Sequence, residues 1–403
     1  MFKTLKDFEV TGKTVLVRVD FNVPLKDGAI TDDNRVSAAI PTILDLIGRQ
    51  AKVVLMSHLG RPKGQRNDKE SLAPVAERLR ELVEAKVTMA PDCVGAEVEE
   101  LVKGMRPGEI VVLENLRFHP EEEKNDVGFA QKLANLADLY VNDAFGAAHR
   151  AHASTQAVAK LLPAAAGLLM EKELVELGRL IKDPKRPFVA ILGGAKVSDK
   201  IGVLTNLAKL ADIILIGGGM AFTFLKIKGN DIGKSLCEKD LAACEQLWVD
   251  ASSQRATIYL PTDVAVASEI KEVEARTEVD VNAIPADMMG LDIGAKTIAQ
   301  FEAVLQTAGT VFWNGPMGVF ETPPYNQGTL KVAQAIARSS AISCVGGGDS
   351  AAAVRQMNLD EHITHVSTGG GASLEFLEGQ ELPGVAVLEE QGDKASLSAE
   401  ATA

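Results

Sequence analysis

The chain has 403 residues, 46% hydrophobic and 24% charged, with a formal net charge of −13 at pH 7. These values fit two or three globular domains, argue against a nucleic-acid partner, and confine any anion site to a local basic pocket. Cys93, Cys237, Cys244 and Cys344 form no CxxC pair or metal-finger spacing, residues 1–14 lack an apolar signal core, and the uncharged apolar run 161–170 is far shorter than the roughly 20 residues that span a bilayer, so a cytoplasmic protein with reduced thiols and no membrane partner is expected.

Residues 15–19 predict a strand, interrupted by Arg18 and running into Asp20, Phe21 and Asn22. Residues two apart in extended backbone face the same way, so Asp20 and Asn22 point together at the strand's carboxyl end. Open α/β sheets bind ligands at that end, although a plain polar turn reads the same way. Gly28 makes a turn. Arg35 precedes an apolar helix over 40–46, where the helix dipole disfavours a cation unless an anion lies beside it.

A second strand, 53–56, ends in Ser57-His58-Leu59-Gly60-Arg61-Pro62. Residues 71–84 predict an amphipathic helix. A strand over 110–113 ends in Glu114-Asn115-Leu116-Arg117-Phe118-His119, and the acidic run 121–123 reads as a solvated helix start. The strand over 139–141 leads to Asn142 and Asp143, then to His149 and Arg150. Arg61, Arg117 and Arg150 thus follow strand ends, and Arg35 joins them from a loop. Each alone is equally an ordinary surface arginine. Together with His58 they predict a rim for a multiply charged anion, because a guanidinium fork matches carboxylate and phosphate. His119, His149 and His152 are read as structural.

Residues 157–170 are rich in alanine and leucine, and a charged helix follows to about residue 182. The domain boundary is expected near 170, with that helix as connector. The second half predicts strands near 188–192, 212–216, 257–260, 310–313, 342–345 and 363–366, separated by helical patterns. Such alternation implies a parallel sheet covered on both faces.

The strand over 188–192 ends in Gly193 and Gly194, with Lys196 and Lys200 four apart on the expected first turn of a helix. A polyanion cradle and a tight connection with two solvated lysines both fit that stretch. Glycine turns also follow the strands at 217–219, 314–318, 346–350 and 367–373. Asp349 has the chemistry to carry a magnesium ion, and Glu321 to take ribose hydroxyls. Together the turns and lysines favour a nucleotide. The stretch 229–235 falls one residue short of a P-loop and follows no strand. Residues 288–294 read as a loop, and Cys237 and Cys244 as one buried helical face.

No nucleophile stands beside an obvious general base. A carboxylate acceptor, already ionised at neutral pH, needs none. Lys196, Arg35 and the backbone amides of Gly370 and Gly371 suit the remaining task, neutralising charge on a phosphoryl group in transit.

Nine motifs in order carry a resemblance: VDFNVP (19–24), SHLGRP (57–62), ENLRF (114–118), VNDAFGAAHRAHAS (141–154), GGAKVSDK (193–200), GGGMAFTF (217–224), WNGPMGVFE (313–321), GGGDS (346–350) and STGGGAS (367–373). Over residues 5–388 the chain resembles the phosphoglycerate kinase family. The resemblance implies two doubly wound, Rossmann-like parallel-sheet α/β domains separated by a cleft and joined by a helix hinge. It implies a 3-phosphoglycerate domain over 1–170, a nucleotide domain over 171–388 and a tail over 389–403, longer than the family's usual ending and expected to be frayed or on the surface.

The implied reaction is 1,3-bisphosphoglycerate plus MgADP to 3-phosphoglycerate plus MgATP. By the same resemblance Asp20, Phe21, Asn22, Arg35, His58, Leu59, Gly60, Arg61, Arg117 and Arg150 hold the glycerate substrate. Lys200, Gly219, Gly290, Asn314, Glu321, Gly347, Gly348, Asp349 and Ser350 serve the nucleotide, with Asp349 toward Mg2+. Lys196, with Arg35, Gly370 and Gly371, stabilises the transferred group. A monomer is implied, with its last residues packed back on the first domain. A non-catalytic two-domain anion binder, or a kinase for another acyl phosphate on a similar frame, are the competing readings.

Overall fold

A computed structural model describes residues 2–273 and 275–400, the last eight by their backbone alone. The chain divides into two compact units, Met1–Val175 with the segment from Glu381 onward, and Glu176–Gln380.

In the first unit, strands β1 (Thr14–Arg18), β4 (Lys52–Met56), β5 (Val87–Met89), β6 (Ile110–Val112), β7 (Leu139–Asn142) and β8 (Ala164–Ala166) form one parallel sheet in the order β5-β6-β4-β1-β7-β8. A small antiparallel hairpin, β2 (Leu25–Lys26) with β3 (Ala29–Ile30), stands apart from it. Central strands are apolar on both faces because helices cover both, and Val15, Leu16, Val17, Val53, Val54 and Leu55 have no exposed surface. Each such side chain contributes about 1.5–3 kcal/mol on burial. Sequence patterning missed β5 and β8, three-residue strands at the two sheet edges; β8 consists of alanine, which is depleted in strands.

The second unit repeats the plan. Strands β9 (Phe188–Leu192), β10 (Ile213–Ile216), β11 (Thr257–Tyr259), β15 (Thr310–Asn314), β16 (Ile342–Gly346) and β17 (His365–Val366) form a parallel sheet in the order β11-β10-β9-β15-β16-β17. All six lie where periodicity predicted them. A three-stranded antiparallel sheet accompanies them: β12 (Asp263–Ala267) between β13 (Thr277–Asp280) and β14 (Met289–Ile293). The stretch expected to be a loop over 288–294 is thus mostly β14. Its glycine and aspartate hid the alternation that marks a half-buried strand.

The expected boundary near 170 falls inside the helix Leu168–Lys182, and the chain passes from one unit to the other five residues later. Residues 381–388, expected with the second half, group with the first. Gly384 N–H donates to the Ala148 carbonyl at 2.8 Å, and Asn142 Nδ2 donates to the Gly384 carbonyl at 3.2 Å. Residues 389–400, expected to be frayed or on the surface, continue the helix Pro383–Glu400, with Glu389 and Glu390 exposed and Gln391 Nε2 donating to the Ala159 carbonyl. Residues 401–403 lie outside the described residues. No helix among the described residues is long and apolar enough to cross a membrane. None of the four cysteines forms a disulfide among the described residues; Cys244 is buried in the helix Leu241–Ser252, but Cys237 is exposed ahead of it, so the two do not share a buried face.

Asp143, at the end of β7, anchors the start of the helix Leu168–Lys182. Its Oδ1 accepts from the N–H groups of Leu169 at 2.9 Å and Met170 at 3.3 Å. An anion at a helix N-terminus is favoured by the dipole, but full burial outweighs this and raises the carboxyl pKa from 3.8 to about 7. Between those values the folded state keeps a proton that the unfolded chain has lost, so stability falls as pH rises from about 4 to about 7. Asp143→Asn keeps an acceptor oxygen and removes the titration. Chemical denaturation across pH 4–8 is expected to show a flatter stability profile for the variant; parallel profiles would refute the assignment.

Candidate active site

The carboxyl ends of β6, β4, β1 and β7, neighbours in the first sheet, bring together most of the residues singled out in that half. The loops behind them are stitched to each other. Phe21 N–H donates to Ser57 Oγ at 2.8 Å, Gly60 N–H to Asn22 Oδ1 at 2.9 Å, and an Arg117 guanidinium nitrogen to the Gly60 carbonyl at 2.8 Å. Asn115 fastens Leu59 from both sides, accepting its N–H and donating to its carbonyl. Arg35, in the first turn of the helix Asn34–Gly48, is held by Asp20 at 2.8 Å, which answers the unfavourable dipole noted from sequence.

His58 lies among these groups, 5% exposed. Burial, then the guanidinium charges of Arg18, Arg117, Arg150 and Arg35, hold its pKa well below the ordinary value. The imidazole is therefore neutral at pH 7. Arg18 Nη2 stands 3.1 Å from its Nδ1, and a guanidinium only donates, so Nδ1 accepts and the ring proton resides on Nε2. Arg61 differs from its companions. Its side chain is exposed, and among the described residues only its backbone N–H is tied down, to Glu70 at 2.7 Å.

Sequence reasoning missed the support beneath this rim. Arg18, taken as a break in a strand, is 1% exposed. Its Nε donates to Ser154 Oγ at 2.8 Å, and that hydroxyl donates to Glu122 at 2.6 Å. Glu122, read as part of a solvated acidic run, is fully buried, and burial raises its pKa. His152, read as structural, has its pKa lowered to about 4 by burial and by Arg18, Arg117 and Arg150. The available signal was the charge itself: an arginine inside an apolar strand must have an acid or hydroxyl waiting for it.

In the second unit the glycine turns pack backbone to backbone. Gly193 N–H donates to the Asn314 carbonyl, Gly194 N–H to that of Pro316, and Gly218 N–H to that of Met317, all at 2.9–3.0 Å. Gly347 has φ +91°, and a Cβ there would meet Asn314 Nδ2 at 2.5 Å. Asn314 is held through Nδ2 by the Gly346 carbonyl at 2.8 Å, while its Oδ1 accepts from Lys200 Nζ. Burial lowers the Lys200 pKa although Asp199 and Asp349 oppose it. Ser350 Oγ accepts from Gly315 N–H at 2.6 Å, fixing one turn to the next.

Beside these turns lies a cleft of about 310 Å³ lined by Gly194, Ala195, Gly219, Phe222, Leu236, Ile270, Gly290, Val319, Glu321 and Asp349, among others. Its apolar wall went unpredicted apart from Gly219 and Gly290. Leu236 and Ile270 are 60% and 55% exposed, unusual for large apolar side chains and natural where a flat apolar ligand would cover them. Gly290 belongs to β14, where any side chain would run into the Phe222 ring.

Lys196 and Lys200 do not share the first turn of an α-helix. A 3₁₀ turn, Ser198–Lys200, intervenes before the helix Ile201–Leu210. Lys196 is exposed on the preceding loop, with Glu238 near enough to feel its charge, whereas Lys200 bends inward to Asn314. Gly370, at φ +54°, immediately precedes the helix Gly371–Leu377, and the N–H groups of Gly370 and Gly371 make no hydrogen bond among the described residues.

The family model described as "Phosphoglycerate kinase" matches residues 5–380. The phosphoglycerate kinase of Moorella thermoacetica is 55% identical over 96% of this chain and 99% of its own length, and that of Borrelia hermsii is 55% identical with the same coverage. Among solved structures, phosphoglycerate kinase from Coxiella burnetii superposes with a TM-score of 0.88 at 41% identity, covering 98% of this chain and all of that one; the Pyrococcus horikoshii OT3 enzyme gives 0.84 at 36%, with the same coverage. A rim of guanidinium groups in one unit, a glycine-walled cleft in the other and these likenesses agree: the chain belongs to the phosphoglycerate kinase family, whose members reversibly transfer a phosphoryl group from 1,3-bisphosphoglycerate to MgADP in glycolysis.

Proposed function

We propose that the first unit holds the three-carbon acid and the second the nucleotide. The observation that carries this is the crowding of Arg18, Arg35, Arg117 and Arg150 around a neutral His58, a charge excess suited to a substrate bearing carboxylate and phosphate. Asp20, Phe21, Asn22, Arg35, His58, Leu59, Gly60, Arg61, Arg117 and Arg150 form its surround. In the second unit the apolar cleft with Gly219 and Gly290 takes the base, and Glu321 the ribose. Asn314, Lys200 and the turn formed by Gly347, Gly348, Asp349 and Ser350 take the phosphates.

Asp349 fits a magnesium ion carried in by the nucleotide. Its carboxylate is exposed on the cleft lining and makes no ion pair among the described residues. One carboxylate with phosphate oxygens and waters is an ordinary magnesium shell, and the bound ion offsets phosphate charge. The acceptor carboxylate, with a pKa near 4, is ionised without a base. The protein's work is then placement in line, exclusion of water by domain closure, and neutralisation of the moving phosphoryl group. Lys196, Arg35 and the free N–H groups of Gly370 and Gly371 supply that neutralisation. The enzyme works as a cytoplasmic monomer in this account.

A coupled assay for ATP formation from ADP and 1,3-bisphosphoglycerate tests the reading. In reverse, 3-phosphoglycerate is expected to act as acceptor and acetate not; activity with acetate alone would move the chain to another acyl-phosphate chemistry. Lys196→Ala is expected to lower kcat roughly 10²–10³-fold with little change in either KM, the usual loss for one transition-state donor. Near-normal turnover would remove Lys196 from the mechanism. Arg35→Ala deletes a guanidinium and frees the Asp20 carboxylate inside an anion site. The KM for 3-phosphoglycerate is expected to rise roughly 10–100-fold, the size of a lost charged hydrogen bond, while that for ATP moves little. Equal loss for both substrates would contradict the division of labour.

A further inference from the structure

Beyond the phosphoryl-transfer site, two sequence-distant loops of the first unit bring Asp92, Cys93 and His119 together. Asp92 and Cys93 follow β5, and His119 follows the 3₁₀ turn after β6, adjacent strands at the sheet edge. One carboxylate oxygen, the thiol sulfur and one ring nitrogen all lie within 4.8 Å of one another. His119 Nε2 is 2.7 Å from Asp92 Oδ1, and the Cys93 N–H donates to the same oxygen at 2.6 Å. The ring is further fixed by stacking on Phe129, with centroids 5.2 Å apart.

We infer that Asp92, Cys93 and His119 form a binding site for a borderline divalent cation of the zinc class. Sulfur, imidazole nitrogen and carboxylate oxygen are the donors such ions take, at about 2.0–2.3 Å in a tetrahedron. Donors 4.8 Å apart or less need to close by only about 1 Å to meet those bond lengths around one ion. Magnesium, which selects oxygen, is not expected to compete. Thiolate and carboxylate balance the two charges of the ion, the thiol proton leaves to solvent, and water fills the fourth position; the ion has to displace that proton against burial and the Asp92 and Glu122 charges, which otherwise hold it on the sulfur. Glu121 adds a nearby anion: it acts electrostatically on His119, and its Oε2 is buried without a hydrogen-bond partner among the described residues. Cys93 is buried, so the bound ion is reached from the half-exposed Asp92 and His119 side, and the exposed Cys237 belongs to the other unit.

The test uses full-length protein stripped by a chelator and titrated with Zn2+ against a chromophoric indicator in excess Mg2+, and separately with Co2+ in the absorption spectrum. One equivalent is expected to bind, with a thiolate-to-cobalt charge-transfer band. Cys93→Ser is expected to abolish that band. His119→Asn and Asp92→Asn are expected to weaken Zn2+ binding by at least roughly 10–100-fold, the loss seen even for groups behind the ligands. Cys237→Ser is expected to change nothing. Far-ultraviolet circular dichroism identifies variants that still fold. Absence of stoichiometric binding, a band that survives Cys93→Ser, or loss of the band in Cys237→Ser would each overturn the inference.

Discussion

Guanidinium groups held close together without a bound anion repel one another, and the first unit is built to tolerate that repulsion. At an effective dielectric near 20, two unit charges about 6 Å apart cost about 3 kcal/mol. The fold offsets part of it. Asp20 holds Arg35 at 2.8 Å, Glu123 holds Arg117 at 3.1 Å, and Glu122 reaches Arg18 through Ser154. Arg150 has no carboxylate within ion-pair distance among the described residues, and His58 stays neutral rather than add a fifth charge. What remains is an excess that an anionic ligand relieves. The offsetting acids matter as much as the arginines, because without them the loops carrying His58 and Arg117 would have reason to spread.

In the second unit the proposed nucleotide cleft relies on little formal charge. Its turns offer backbone N–H groups and two lysines, and glycine lets those turns approach each other and a phosphate chain closely. Packing fixes the arrangement from behind. Trp313, fully buried in β15, donates its indole N–H to the Gly315 carbonyl at 2.8 Å, so the core of the sheet positions the glycine turn at its end. The two units thus solve related binding problems with different chemistry. Arginine forks suit the two ends of a small acid, whereas amides and an apolar wall suit a longer ligand with a flat apolar part.

Much of this was legible in the sequence. The six parallel strands of the second unit read directly from apolar runs, five of them closed by glycine turns; so do β1, β4, β6 and β7, whose ends carry the arginines. The rest was hidden for identifiable reasons. Strands β5 and β8 are too short for periodicity, and β14 contains the glycine that Phe222 requires. Glu122 sits in an acidic run that looks solvated, and only the fold turns its second member inward. Arg18 looked like a flaw in a strand until Ser154, far away in sequence, supplied its partner. The apolar lining of the cleft is scattered over six segments. Asp92, Cys93 and His119 have no motif spacing at all, since a whole β-α-β crossover of the sheet separates the first two from the third.

The net charge of −13 raises a last question, since both substrates are anions. At physiological ionic strength the Debye length is about 8 Å, so acids spread over the surface act weakly at the rim, while groups at contact act almost unscreened. Local sign therefore decides binding, and overall sign serves solubility. This places a demand on the rim that a basic protein would not face: its cations must be close together, partly buried and directed by fixed partners. Buried Arg18, Arg35 clamped by Asp20, and Arg117 fastened to the Gly60 carbonyl meet that demand. A looser arrangement of the same arginines, each free to pair with the many surface carboxylates, would leave the acidic field of the chain in control.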